Sequence, residues 1–288
     1  MREPTGSILT LLTMAWVFLV GAAMGSFLNV VIARVPAGES IVRPGSRCPR
    51  CRVPIRWFDN LPIVAWVALR ARCRACGARI SVRYPAVEAL GAGAALVAFA
   101  RHGLSGAAAA EFTFAAALLA LAFIDLDTWL LPNVITWPLI AFGVAMGLVG
   151  VTPAGALRSS AYGAGLGFAA FALLSWLGEK AFKKEALGFG DVWLMAGLGA
   201  WMGPAPLLPI VLFASIQGSI VGLALMALGR GEPGPSATPT TIEPEPEADW
   251  IPPKHAVPFG PFLAAGALEW LWLSDLAARA VPLLEVFR

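Results

Sequence analysis

The sequence predicts an all-α polytopic membrane protein of about eight transmembrane helices, with a small cytoplasmic zinc-ribbon-like insert between the first and second. Three observations lead there. Of 288 residues, 58% are hydrophobic and only 14% charged, with a mean hydropathy of +0.73; soluble domains carry about 25% charged residues. The apolar residues fall into separate runs, several approaching the roughly 20 residues that cross a hydrocarbon core. All four cysteines, and 11 of the 21 Lys and Arg residues, lie between Arg34 and Arg83.

The first element lies within residues 1–32, where the apolar run starts at 8. The only charges before it are Arg2 and Glu3, it is too long for a signal-peptide core, and no convincing cleavage site follows; it reads as a transmembrane helix. Gly21 and Gly25 form a GxxxG pattern, which predicts close helix packing. Residues 33–84 form the soluble insert. Residues 85–228 form a transmembrane core, with spans near 85–101, 107–124, 134–151, 159–178, 190–203 and 206–228. The span at 190–203 is short. Residues 229–256 are rich in Pro, Glu and Thr; they cannot bury enough apolar surface to order themselves, which predicts a flexible cytoplasmic loop. Residues 257–288 carry the last span, near 258–282.

Short loops rich in Lys and Arg stay cytoplasmic. The insert's 11 arginines therefore place it inside and the N-terminus outside. Parity puts the loops after spans three, five and seven inside as well. The fifth carries Lys180, Lys183 and Lys184; the outer loops carry little beyond Arg101 and Arg158. Asp125, Asp191 and the cysteines thus belong at one membrane face. The net charge of +3 is small, and the surroundings expected are membrane lipid, with no nucleic acid.

The cysteines form two CxxC pairs, Cys48/Cys51 and Cys73/Cys76, separated by 21 residues. Each pair can form a tight knuckle offering two thiolates, which fits a tetrahedral zinc ribbon. Two disulfides are the alternative, which the predicted cytoplasmic side disfavours. Four cysteines close the coordination sphere, so the metal is structural. It would stabilise a unit of about 50 residues, a size at which a core alone is marginal.

Ionisable groups inside spans are functional candidates. FIDLDTWLLPN (123–133) supplies Asp125 and Asp127, which point apart on a helix; spacing leaves open which one matters. Asp191 begins its own span behind Gly188 and Gly190, glycines that permit close backbone approach. A carboxylate is favoured at a helix N-terminus, so each aspartate alone also fits a helix cap. Two glycine- or proline-flanked aspartates on one face suggest a dyad sharing a proton. The ionised member can deprotonate water while the protonated one polarises a peptide carbonyl. That is aspartyl protease chemistry, with no catalytic metal.

Other residues carry two readings each. Ser26 and Asn29 share one face of the first helix, for interhelical hydrogen bonding or substrate binding. Glu88 and Glu185, near the cytoplasmic face, are interfacial charges or binders of basic substrate residues. Trp57, Asp59 and Asn60 are turn residues or part of a further site. His102 and His255 are isolated and read as incidental. The tryptophans read as interface anchors.

With these residues in hand, the sequence resembles the bifunctional type IV prepilin leader peptidases, membrane aspartyl proteases of the GxGD type. The resemblance runs over nearly the whole chain, through GSFLNVVIARVP (25–36), the cysteine segment 47–88, IDLDTWLLPN (124–133), KEALGFGD (184–191) and PFGPFLAAGA (258–267). It implies that Asp125, seven residues before Pro132, and Asp191 are the catalytic pair. It implies a location in the bacterial inner membrane and prepilin or pseudopilin substrates of a type IV pilus or type II secretion system. These carry a short basic leader ending in Gly, cut at the cytoplasmic face. It also implies N-methylation of the new terminus with S-adenosylmethionine, although no GxGxxG motif locates the donor. One position departs: Trp193 stands where such proteins often have Lys.

A second reading is a non-catalytic zinc-domain membrane scaffold or a transporter. A transporter predicts internal repeats and broken helices at matching positions; neither is evident.

Overall fold

The computed structural model describes residues 4–182, 188–228 and 257–287. The predicted loop 229–256 and Glu185 lie outside them. The described chain is helical, with no strand beyond two isolated bridges in the insert. Helix α1 spans Pro4–Arg34; the insert follows, with a 3-10 turn Trp57–Asn60 and a short helix α2, Val64–Ala68. Then come α3 (Arg83–His102), α4 (Gly106–Thr128), α5 (Asn133–Leu148), α6 (Leu157–Phe182), α7 (Phe189–Met202), α8 (Leu207–Ala227) and α9 (Gly260–Ala280), and a terminal 3-10 segment, Pro282–Phe287.

Each of the eight predicted spans is a helix, with ends within a few residues. Four are long and apolar enough to cross a membrane on their own: α1 from Ile8, α4, α6 to Ala181, and α8. Helix α7 has only 14 residues, or about 21 Å, short of a core about 30 Å thick. Its surroundings explain how it is accommodated. From Val192 to Met202 every residue except Trp193 is buried, so protein rather than lipid surrounds it.

Small residues let the helices approach. On α1, a Cβ on Gly25 would lie 2.6 Å from Glu88 Cα, and one on Gly21 would lie 2.8 Å from the Gly91 carbonyl oxygen. The GxxxG face therefore packs on α3 as predicted. Gly163 of α6 and Gly199 of α7 face each other so closely that a methyl on either would overlap the other's carbonyl. Trp201 is fully buried in the core, its ring stacked 4.7 Å from Phe114 of α4 and 5.5 Å from Phe142 of α5. The outward face of α8 carries Leu212, Ile216, Ile220 and Leu223, all exposed, a helical stripe suited to lipid.

Candidate active site

Helix α4 ends one turn beyond Asp125. Trp129 adopts a left-handed conformation (φ 58°), and its N–H donates to the Asp125 carbonyl at 2.9 Å, closing the helix. Pro132 then leads into α5. The Asp125 side chain turns inward, where the residue is 5% exposed. Its Oδ2 accepts the Gly260 N–H at 3.1 Å. Gly260 is the first residue of α9, so this amide is one of the donors a helix start leaves unpaired. Only glycine fits there: a Cβ would sit 2.5 Å from Oδ2 and 3.2 Å from Leu131 Cδ1.

Asp191 lies in the first turn of α7, its N–H bonded to the Gly188 carbonyl at 3.0 Å. It is 8% exposed, and its Oδ1 is buried with no hydrogen-bond partner among the described residues. Gly190 lets α7 approach Leu131, whose Cβ would lie 2.8 Å from a side chain there. Leu131 thus borders both Gly190 and Gly260, and the starts of α7 and α9 converge on the end of α4. Depth agrees. Phe114 precedes Asp125 by 11 residues and Trp201 follows Asp191 by 10. At 1.5 Å per residue the carboxylates lie about 16 and 15 Å below the stacked rings, at one level.

Asp127 is unlike its neighbour. Its side chain is 40% exposed and pairs with Arg83. The structure therefore separates the two aspartates that spacing could not, placing one inside against a helix start and the other outside against a cation.

The insert holds its four sulfurs within 4.8 Å of one another, with Cys48 and Cys76 Sγ atoms 3.9 Å apart. Thiolates about 2.3 Å from a tetrahedral zinc would stand roughly 3.8 Å apart, so the set fits. The two knuckles repeat one backbone pattern. Arg52 N–H bonds to the Cys48 carbonyl at 2.8 Å, and Gly77 N–H to that of Cys73 at 2.9 Å; both donors have positive φ. The amides of Cys51 and Arg50 pull the Cys48 thiol down to about 6. Against its own bond from the Val53 amide, desolvation and the neighbouring sulfurs push Cys51 up to about 11. Four sulfurs this close resist a second negative charge, a strain that a divalent cation would relieve.

Asp59 is held by a two-pronged bond from Arg74 at 2.7 and 2.8 Å, which keeps its carboxyl below the ordinary range. This ties the loop between the cysteine pairs to the second knuckle. Asn29 Nδ2 donates to the Tyr84 carbonyl at 3.1 Å, joining α1 to α3. Glu88 is buried, and its Oε2 accepts the Ile63 N–H at 2.7 Å. Ile63 is a branched residue at φ 62°, rarely found there. A groove of about 300 Å³ lies between α1 and the insert, bordered by Ser26, Phe27, Arg34, Val42, Ser46 and Asn60 among others.

Sequence reasoning passes over two features. His102 is not isolated: its Nε2 lies 2.8 Å from Glu111 Oε2, which Arg101 Nε also approaches at 3.2 Å, while Trp272 Nε1 donates to Oε1 at 3.1 Å. Glu111 carries the same signal as the aspartates, an acid in an apolar run; His102 carries none. The Gly260 amide is equally silent, since a backbone donor leaves no residue type to read. Trp193 packs among Phe168, Trp137 and Phe189, with ring centres 5.0 to 6.1 Å away.

Comparison with known proteins identifies the family. Residues 19–102 match the Bacterial Peptidase A24 N-terminal domain, and residues 112–223 the Type IV leader peptidase family. The Prepilin leader peptidase/N-methyltransferase of Myxococcus xanthus (strain DK1622) is 40% identical over 93% of this chain and 92% of its own. The protein of the same name from Burkholderia pseudomallei (strain 1026b) is 34% identical over 93% and 86%. The Type 4 prepilin-like proteins leader peptide-processing enzyme of Escherichia coli O78:H11 (strain H10407 / ETEC) is 37% identical over 89% and 92%. No solved structure gives a significant match.

Proposed function

The chain belongs to the type IV leader peptidase family, and on that footing we propose that it removes the leader peptide of prepilins or pseudopilins and then N-methylates the new terminus. Asp125 and Asp191 are the catalytic pair. The observation that carries this assignment is two buried carboxylates at one depth, on helix ends that converge at Leu131. The alternative of a non-catalytic scaffold or transporter has no comparable support.

In the mechanism, one carboxylate starts ionised and the other protonated, because two close charges in a buried site cannot both persist. The ionised one takes a proton from water as the oxygen attacks the peptide carbonyl after the leader's Gly. The protonated one gives its proton to the carbonyl oxygen. The resulting diol collapses: the C–N bond breaks, the departing amine takes one proton, and the second returns to the dyad. Asp191 Oδ1, unengaged among the described residues, is the acceptor placed for the water, and the Gly260 amide orients Asp125. No metal enters this step.

The four cysteines hold a structural zinc, so residues 33–84 form one metal-stapled unit attached to a peptidase core at 85–228. S-adenosylmethionine, when bound, supplies the methyl group. Glu88 keeps Oε1 outside its bond to Ile63 and, with Glu185 and Asn29, is a candidate contact for the leader. The arginine-rich insert and both aspartates face the cytoplasm from the bacterial inner membrane.

The test is substitution by asparagine. D125N and D191N keep size and polarity, and each is expected to lower cleavage of a prepilin substrate by at least about 10³-fold. Undiminished cleavage in either variant removes the dyad.

A further inference from the structure

Arg83 is the first residue of α3, the end of a helix where a cation is disfavoured by the helix's own dipole. The side chain leaves that end and reaches the C-terminal turn of α4. There its Nη2 donates to the Phe123 carbonyl at 2.9 Å, its Nη1 pairs with Asp127, and its guanidinium stands 4.9 Å from the Phe123 ring centre. The C-terminus of a helix, the negative end of its dipole, is where a cation belongs.

The two residues it grips bracket Asp125. Phe123 lies two before and Asp127 two after, each about 200° away around the helix. Arg83 therefore holds the back of the turn whose front carries the Asp125 carboxylate, and the Gly260 amide holds the front. An ion pair with side chains 33% and 40% exposed adds little to stability. What it fixes is rotation of the helix end, and with it the aim of the carboxylate.

We propose that Arg83 is a positioning residue for the peptidase reaction, clamping the last turn of α4 so that Asp125 meets the scissile peptide in register. This rests on the assignment of Asp125 as catalytic. It also places the clamp at the junction of the cysteine insert and α3, so the insert's last residues and the dyad share one anchor. Asn29, bonded to the Tyr84 carbonyl, and Glu88, bonded to Ile63, fasten the same junction.

The experiment uses the full chain in detergent with a leader-bearing prepilin as substrate, and compares R83Q, R83K, D127N and D125N. Misaiming a catalytic group by about 1 Å costs on the order of 100-fold. R83Q is expected to lower kcat by about tenfold or more, with KM within about twofold of wild type and the thermal unfolding temperature nearly unchanged. R83K keeps the charge but loses the planar fork, so it falls between. D127N keeps both Phe123 contacts and loses only a few-fold. A kcat loss at constant KM, together with an unchanged unfolding temperature, is what a purely structural residue would not give, since partial unfolding would lower kcat and the unfolding temperature together.

Wild-type kcat in R83Q overturns the proposal, and so does a raised KM at unchanged kcat, which would make Arg83 a substrate contact. If R83Q does not fold, wild-type kcat in both R83K and D127N overturns it. D125N separates the two levels: active D125N defeats the catalytic assignment itself, whereas inactive D125N beside unaffected R83Q defeats only the role of Arg83.

Discussion

Gly260 contributes to the site by an amide and by the lack of a side chain. Alanine there would place a methyl 2.5 Å from Asp125 Oδ2, so α9 must retreat and the bond to the carboxylate lengthens. G260A is expected to lower kcat by about tenfold or more in a prepilin cleavage assay. The matched change G222A, in α8, meets nothing within 4 Å and should leave activity unaltered. Trp193 belongs to a different class. Its contacts are aromatic rings rather than the dyad, so W193F should cleave within about threefold of wild type. W193A should lose about 2 kcal/mol in thermal unfolding, from several ring contacts of 0.5–1.5 kcal/mol each. Much of the candidate site was legible at this scale. Acids in apolar runs marked Asp125 and Asp191, because an intramembrane charge needs a reason. Choosing Asp125 over Asp127 needed either the family motif or three dimensions, since both sit in the same turn and differ only in which way they face.

Helices α4 and α9 are fastened at both ends. At one end Asp125 accepts from Gly260; at the other Glu111 accepts from Trp272 and pairs with Arg101 and His102. The spacings nearly agree, 14 residues along α4 and 12 along α9, so the two bonds set one register for an antiparallel pair. E111A would remove a buried acceptor that three groups share and undo the tie between α4 and α9. It is expected to lower the thermal unfolding temperature by about 5–10 °C, with cleavage at 25 °C within about threefold of wild type. The spans themselves were readable as apolar runs of the right length. The crossed pairing at Glu111 was not, because His102 and Trp272 come from separate helices and no local pattern joins them. The burial of α7 was half legible: its shortness showed, but the shell of helices around it is a property of packing.

The molecule as a whole joins two units of different physics, a lipid-embedded bundle and a small basic domain whose four sulfurs converge. Purified protein is expected to carry one zinc per chain by metal analysis, and C48S/C51S to carry none, with loss of protease resistance in residues 33–84. The cysteine spacing disclosed that convergence in advance, since two knuckles at short separation have few other solutions. It could not disclose how the unit meets the bundle, through Asn29, Glu88 and Arg83. The Gly260 amide has one more consequence, which concerns time. The ribosome finishes α4 and α7, with both aspartates, well before it reaches residue 260. Until α9 arrives, Asp125 lacks its donor and the front of its turn is unheld. A growing chain would therefore hold both acids without being a protease, and competence would come only when the final helix docks. Chains stopped before Gly260 should insert in the membrane yet leave prepilin uncut.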